Sequence, residues 1–248
     1  VKAAGNGVTK VNVDAPETVS EIGQVSAQFL QATVNIGGAG LEFSLADSFA
    51  NLIAIGAVGA RNAAESITVT NASLTVAQAN VAEGWKGVGD DVVATDVVYS
   101  IVDTASAVAN AIVGGVLNDE LQAAASITVT SAATVAEAAE LSETNIAYNI
   151  GDTSENVYTA YNSVNDADVS DRGTIQGAGT VTLTDSATVE QYVGTEQLRG
   201  LDEVVNLAGY SIADSAGFLV SAVTNNPSAL TGAQQVSLLT DEVLDVAQ

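Results

Sequence analysis

The segment "NDADVSD" sets Asp166, Asp168 and Asp171 close together beside Asn165. Carboxylates so spaced on a loop suit Ca²⁺, a hard cation that takes about six to eight oxygen ligands in irregular geometry. These three aspartates are the candidate metal ligands, and calcium is the expected cofactor. The loop is not an EF-hand, because Gly is missing from its sixth position and Glu from its twelfth. The glycine-rich nonapeptide of calcium-binding β-rolls does not appear either. Gly89–Asp91 with Asp96, and Asn118–Glu120, are further acidic segments that read more simply as solvated loops. Asp47, Asp103, Asp152 and Asp214 each follow a short aliphatic phrase. There, a side-chain oxygen at a helix start is the simpler role, and they are expected to be N-caps.

Other chemistries are poorly served. With no His and no Cys, the chain cannot build a Ser-His-Asp triad, a thiol nucleophile or a zinc site of the usual ligands. Neither "GGAG" at Gly37 nor "GAVGAR" at Gly56 is a dinucleotide fingerprint, and no P-loop is present. A carboxylate pair can hydrolyse glycosides, but sugar clefts usually stack substrate on aromatic rings, and Trp85 is the sole Trp. The chain is therefore read as not an enzyme, with a carboxylate-based polysaccharide enzyme as a lesser alternative. Thirty acidic residues against six basic ones give a net charge of −24, which disfavours nucleic acid and anionic membranes as partners. The apolar run Leu52–Ala60 is too short to span a bilayer, so no membrane insertion is expected. Val1, where a start Met would stand, leads to the expectation of a processed or excised segment.

The elements that would position these residues repeat. One phrase is aromatic–polar–aliphatic–x–Asp–Ser/Thr: "FSLADS" at Phe43, "YSIVDT" at Tyr99, "YNIGDT" at Tyr148 and "YSIADS" at Tyr210. The other alternates aliphatic and polar residues: "VNVD" at Val11, "ITVT" at Ile67 and Ile127, "VTLT" at Val181 and "VSLL" at Val236. The starts at 11, 43, 67, 99, 127, 148, 181, 210 and 236 recur at roughly 28-residue spacing, within the range of repeat architectures. Period-two alternation reads as short strands with one buried face. Their other face carries Asn12, Ser44, Thr68, Ser100, Thr128, Asn149, Thr182, Ser211 and Ser237, which the alternation places in one polar row.

Helices are expected between strands. Thr18–Glu21, Thr75–Gln78, Thr134–Glu137 and Thr188–Gln191 each spell the Thr-x-x-Glu/Gln capping box. Five residues beyond each strand-end Asp stand Leu52, Val108, Val157 and Leu219, placed to pack back onto the strand. Crossovers of such length require parallel strands. The resulting expectation is an α/β solenoid, a single domain over residues 1–248. About nine short parallel strands, each followed by a short helix or turn, would stack about 4.8 Å apart. The small side chains, with aromatics at only 4%, fit such thin layers. Thr-x-Thr pairs such as Thr68/Thr70 and Thr182/Thr184 also raise an ice-binding reading, weakened by the intervening coils.

The alternation of "YSIVDTA" with "SITVTSAATVAEA", from about Val11 to Leu244, resembles the Ala/Val/Thr-rich repeat regions of large bacterial exported surface proteins. These include type I-secreted adhesins, surface-layer proteins and fibre proteins. The resemblance implies a cell-surface location, calcium dependence and self-association, and it carries over no catalytic residue. The expected function is a structural subunit or segment of an extracellular bacterial assembly that associates with itself through its ends or faces. The alternative is a monomeric spacer or ligand-binding region of a large adhesin, with cell-surface glycans as the partner.

Overall fold

Strands form where aliphatic and small residues alternate, and four of them end at an aspartate, Asp47, Asp103, Asp152 or Asp214, that directly precedes a helix cap. In the computed structural model this gives short strands β1 (Lys10–Asn12), β2 (Gly40–Glu42), β3 (Ser44–Asp47), β4 (Ser66–Val69), β5 (Asp96–Val98), β6 (Ile101–Asp103), β7 (Ile112–Val113), β8 (Val116–Leu117), β9 (Ile127–Val129), β10 (Ile150–Asp152), β11 (Val181–Leu183), β12 (Ser186–Ala187), β13 (Ser211–Asp214) and β14 (Val236–Leu238). The helices are α1 (Phe49–Ile53), α2 (Val76–Glu83), α3 (Ala105–Ala109), α4 (Asp119–Ala123), α5 (Val135–Ser142), α6 (Ser154–Asn162), α7 (Ser170–Gly177), α8 (Val189–Arg199), α9 (Ala216–Asn225) and α10 (Pro227–Thr231). The structure describes residues 10–12, 16–21, 40–42, 44–54, 61, 64, 66–70, 73–86, 96–162, 170–199 and 209–239. Among them no helix is long and apolar enough to cross a membrane.

The expected solenoid does not form. Instead of one continuous stack, the strands fall into separate small sheets of two or three. The strands in β1–β2, β3–β4–β5, β10–β11 and β12–β13–β14 are parallel, as the crossovers demand. The ladders stop because the strands are only two to four residues long before a cap residue bends the chain into a helix. Beyond the ladders, neighbouring phrases meet through single bridges, Leu74 with Ile101 and Ala133 with Ile150. The proportions also differ from strand–turn coils: α8 runs for 11 residues and α9 for 10.

Contacts divide the chain into two compact units, Val1–Val102 with Leu117–Ile127, and Asp103–Val116 with Thr128–Gln248. In the first, Leu45 pairs with Ile67 and Ile67 with Val97 across β3–β4–β5. Leu45, Leu52, Ile67 and Ile101 are fully buried there, and α2 packs on α4. In the second, Ile150 pairs with Val181 and Ile212 with Val236. Its core includes Val108, Leu141, Ile150, Val157, Ile175 and Ile212. Helices α5 on α7 and α6 on α8 cover those strands. Leu52, Val108, Val157 and Leu219 are all buried, as their spacing predicts.

The register is offset from a simple alignment of the phrases. The third residue of the first phrase faces the first residue of the second, as Leu45 faces Ile67 and Ile150 faces Val181. The nine polar residues therefore do not form one row. Ser44 Oγ bonds Ser66 Oγ at 2.7 Å, Ser126 bonds Ser100 at 2.9 Å, and Thr180 bonds Asn149 at 2.9 Å. Thr68 stands opposite Ala46 and Val98, and Thr182 opposite Gly151, so the threonines lack the neighbours an ordered hydroxyl lattice needs.

The tyrosine of the first phrase is an anchor and lies outside the strand. Tyr99, Tyr148 and Tyr210 are buried. Each hydroxyl reaches a backbone carbonyl of the helix preceding the next strand: Glu120, Thr174 at 2.7 Å, and Ala229 at 3.2 Å respectively. One tyrosine thereby fixes the helix that returns the chain, adding a hydrogen bond to a large buried apolar ring.

Candidate functional site

Of the sequence-predicted metal ligands, Asp166 and Asp168 lie outside the described residues. Asp171 falls in the backbone of α7, with its side chain outside the description. Among the described residues, no group of three or more His, Cys, Asp or Glu side chains is placed to hold a metal ion. The acidic segment Asn118–Glu120 contributes to a cleft of about 580 Å³ between α2 and α4, lined by Asn80, Glu83, Lys86, Asp119 and Glu120. Glu83 and Glu120 are already engaged. Glu83 receives the Tyr99 hydroxyl at 2.7 Å and pairs with Lys86 Nζ at 2.7 Å, and Asn118 Nδ2 donates to Glu120 at 2.7 Å. An ammonium thus sits on Glu83, so this donor set does not fit a calcium ion. Burial, then the hydrogen bond to Glu83 and its charge, pushes the Tyr99 phenol well above its ordinary pKa, so it remains a donor.

The strand-end aspartates are joined into a lattice that the sequence did not disclose. They were expected to be N-caps, but the N-cap is the next residue: Ser48 for α1, Thr104 for α3 and Ser215 for α9. The aspartate stands one step earlier, and Asp47, Asp152 and Asp214 each bridge two helix starts. Asp152 Oδ1 accepts from Thr153 N at 2.7 Å and Asn156 Nδ2 at 2.8 Å, and its Oδ2 accepts from Val135 N, at the start of α5, at 2.8 Å. Asp47 repeats this with Ser48, Asn51 and Val19. Asp214 bonds Ser215 N at 2.7 Å and Val189 N, at the start of α8, at 2.9 Å. In the same way Asp185 accepts from Ser154 N at 2.7 Å, and Ser131 Oγ from Ala105 N at 2.9 Å.

A carboxylate serves here because the first turn of a helix offers unpaired N–H donors and the positive end of its dipole. Burial raises the Asp47 pKa, but the hydrogen bonds from Asn51, Ser48 and Val19 outweigh it and hold the carboxyl below its ordinary value. All four capping boxes form: Thr18 with Glu21, Thr75 with Gln78, Thr134 with Glu137, and Thr188 with Gln191. Carboxylates so committed to main-chain donors are not poised for acid–base chemistry. Their effect is to lock successive helix starts together.

A third feature is apolar. Among the helices, α9 buries Ala216, Leu219 and Ala222 but leaves Phe218 60% and Val223 64% exposed. Phe218 borders a groove of about 410 Å³ between α9 and α8, lined also by Tyr158, Val189, Glu190, Val193 and Ala222. The Tyr158 hydroxyl bonds Glu190 Oε1 at 3.2 Å. No periodic signal in the sequence marks this groove, because it depends on which helices lie side by side. No family model, no curated protein and no solved structure matches the chain.

Proposed function

We propose that this chain is a structural segment of an extracellular bacterial assembly, such as a fibre, sheath or surface layer, in which copies associate through exposed faces. The observation that carries this reading is the aspartate lattice. Asp47, Asp152 and Asp214 each tie two helix starts, so the repeated acidic chemistry of the chain is spent on architecture. The resemblance of its phrases to repeats of exported surface proteins supports the same role. So does a net charge of −24, which keeps unassembled copies soluble. In this reading calcium bridges copies through the acidic segment holding Asp166, Asp168 and Asp171.

Electron microscopy of the purified chain in millimolar Ca²⁺, and again after chelation, tests both parts. Regular filaments or sheets that dissolve on chelation are expected. Assemblies indifferent to chelation would remove calcium and keep the structural role. Isolated particles under both conditions would overturn it in favour of an adhesin spacer.

A further inference from the structure

We propose that the groove beside Phe218 is the contact through which a second copy of this chain docks, Phe218 of each copy entering the groove of the other. The proposal rests on the structural reading above and names the face it uses.

The first argument comes from position. Helices α1, α3, α6 and α9 all follow an Asp–Ser/Thr step, and α3 carries Ala107 at the fourth position after its aspartate. Four residues after the aspartate stand Asn51 in α1 and Asn156 in α6, and both side-chain amides donate back to it at 2.8 Å. In α9 the same position holds Phe218. The bracing hydrogen bond is given up, and an aromatic ring stands 60% exposed in its place. The stability of the unit alone gains nothing from that exchange.

The second argument is shape. The ring stands at the edge of a groove walled by Tyr158, Val189, Val193 and Ala222 together with the polar side chains of Glu190, Ser221 and Asn226. Knob and hole on one surface are self-complementary under a two-fold axis, the geometry of most homodimers. A buried aromatic anchor in a pocket is also the usual energetic centre of an interface.

The third argument is charge, and it selects the occupant. A two-fold contact brings like patches together, so a chain with a net charge of −24 can make one only where its surface is neutral. The longest uncharged run in the sequence, Ser215–Thr240, contains all of α9 and α10. Among the described residues Glu190 is the one charged side chain lining the groove, and Tyr158 already bonds it.

Sedimentation velocity across a micromolar concentration series tests the contact. The wild-type chain is expected to show a concentration-dependent dimer that strengthens with added salt, as carboxylate repulsion is screened. Phe218→Asn is expected to weaken the dimer by at least about tenfold, while its thermal melt is not lowered. Glu190→Gln is expected to tighten it. The chain has no cysteine, so Ser221→Cys, on the groove wall, should give a disulfide-linked dimer on mild oxidation. Two outcomes overturn the proposal: a dimer unaffected by Phe218→Asn, or one weakened by Glu190→Gln, the signature of a basic partner site. Filaments that persist unchanged in Phe218→Asn would remove this face and leave the structural reading standing. A wild-type chain that stays monomeric and forms no assembly removes both.

Discussion

Helices α6 and α9 begin alike and end differently. Each follows an aspartate that bonds the next backbone N–H at 2.7 Å and reaches an earlier helix start with its other oxygen. Each buries an aliphatic residue and an alanine at matching positions, Val157 and Ala160 in one, Leu219 and Ala222 in the other. The outward positions differ. Where α6 carries Glu155, Asn156 and Thr159, α9 carries Gly217, Phe218 and Ser221. The inward half of the repeat is set by the fold, and the outward half is free to be used. Along α6 it braces the cap and reaches α8, where Glu155 accepts from Gln191 Nε2 at 2.7 Å. Along α9 it presents an aromatic ring beside a groove.

The largest effect should come from the part the two helices share. Asp152 is 8% exposed and satisfies three donors, two of them main-chain N–H groups at different helix starts. Asp152→Ala leaves those donors unpaired in a confined place and should cost about 3 kcal/mol. Urea unfolding with an unchanged slope measures it. A cost no greater than that of an ordinary surface substitution would mean water replaces the carboxylate and the lattice is ornamental. Thr134→Ala removes the hydroxyl of the α5 capping box and should cost about 1 kcal/mol. Ser215→Ala at α9 should cost a similar amount, since its Oγ also accepts from the third helical residue. Unequal losses would show that the two caps are not equivalent.

The same lattice predicts a pH dependence in the other unit. Hydrogen bonding from Asn51, Ser48 and Val19, working against burial, lowers the Asp47 pKa. A carboxylate with a depressed folded-state pKa adds stability that is complete above its unfolded value, near about 4. That stability is lost as pH falls through the folded value. The stability gap between wild type and Asp47→Asn should therefore be constant at neutral pH and narrow under acid. A gap that held its size down to pH 2 would show that the charge of Asp47 contributes nothing.

What the sequence disclosed, and what it hid, follows the range of each interaction. The capping boxes at Thr18, Thr75, Thr134 and Thr188 were legible because both partners lie three residues apart, and all four form. The burial of Leu52, Val108, Val157 and Leu219 was legible from spacing alone. The solenoid was over-read: phrase recurrence shows that a unit is repeated, not that its strands are long enough to join one stack. The bridging role of Asp152 was hidden because Val135 N lies 17 residues away and becomes its neighbour only after the strands pair. The offset that puts Ser66 against Ser44 was hidden for the same reason. One local signal went unused: Gly114 and Gly115, with φ of 56° and 73°, make the two-residue turn between β7 and β8, a hairpin the Gly-Gly pair announces.

The smallest predicted change in stability bears hardest on the comparison of α6 with α9. Phe218→Asn gives α9 the residue that α6 has. The new amide can donate to Asp214 Oδ1, as Asn156 donates to Asp152 at 2.8 Å, which is worth about 0.5–1 kcal/mol. Removing a ring that is 60% exposed forfeits its buried part, worth about 1 kcal/mol. The two offset, so the isolated chain should keep nearly the same urea midpoint at a concentration too low for association. Asn156→Phe, the reverse exchange, should likewise move its midpoint little. If instead Phe218→Asn is destabilised by 2 kcal/mol or more, on the scale of a core truncation, the ring serves the fold of its own unit. The outward faces of the two helices would then differ for reasons of packing, and Phe218 would cease to mark a docking surface.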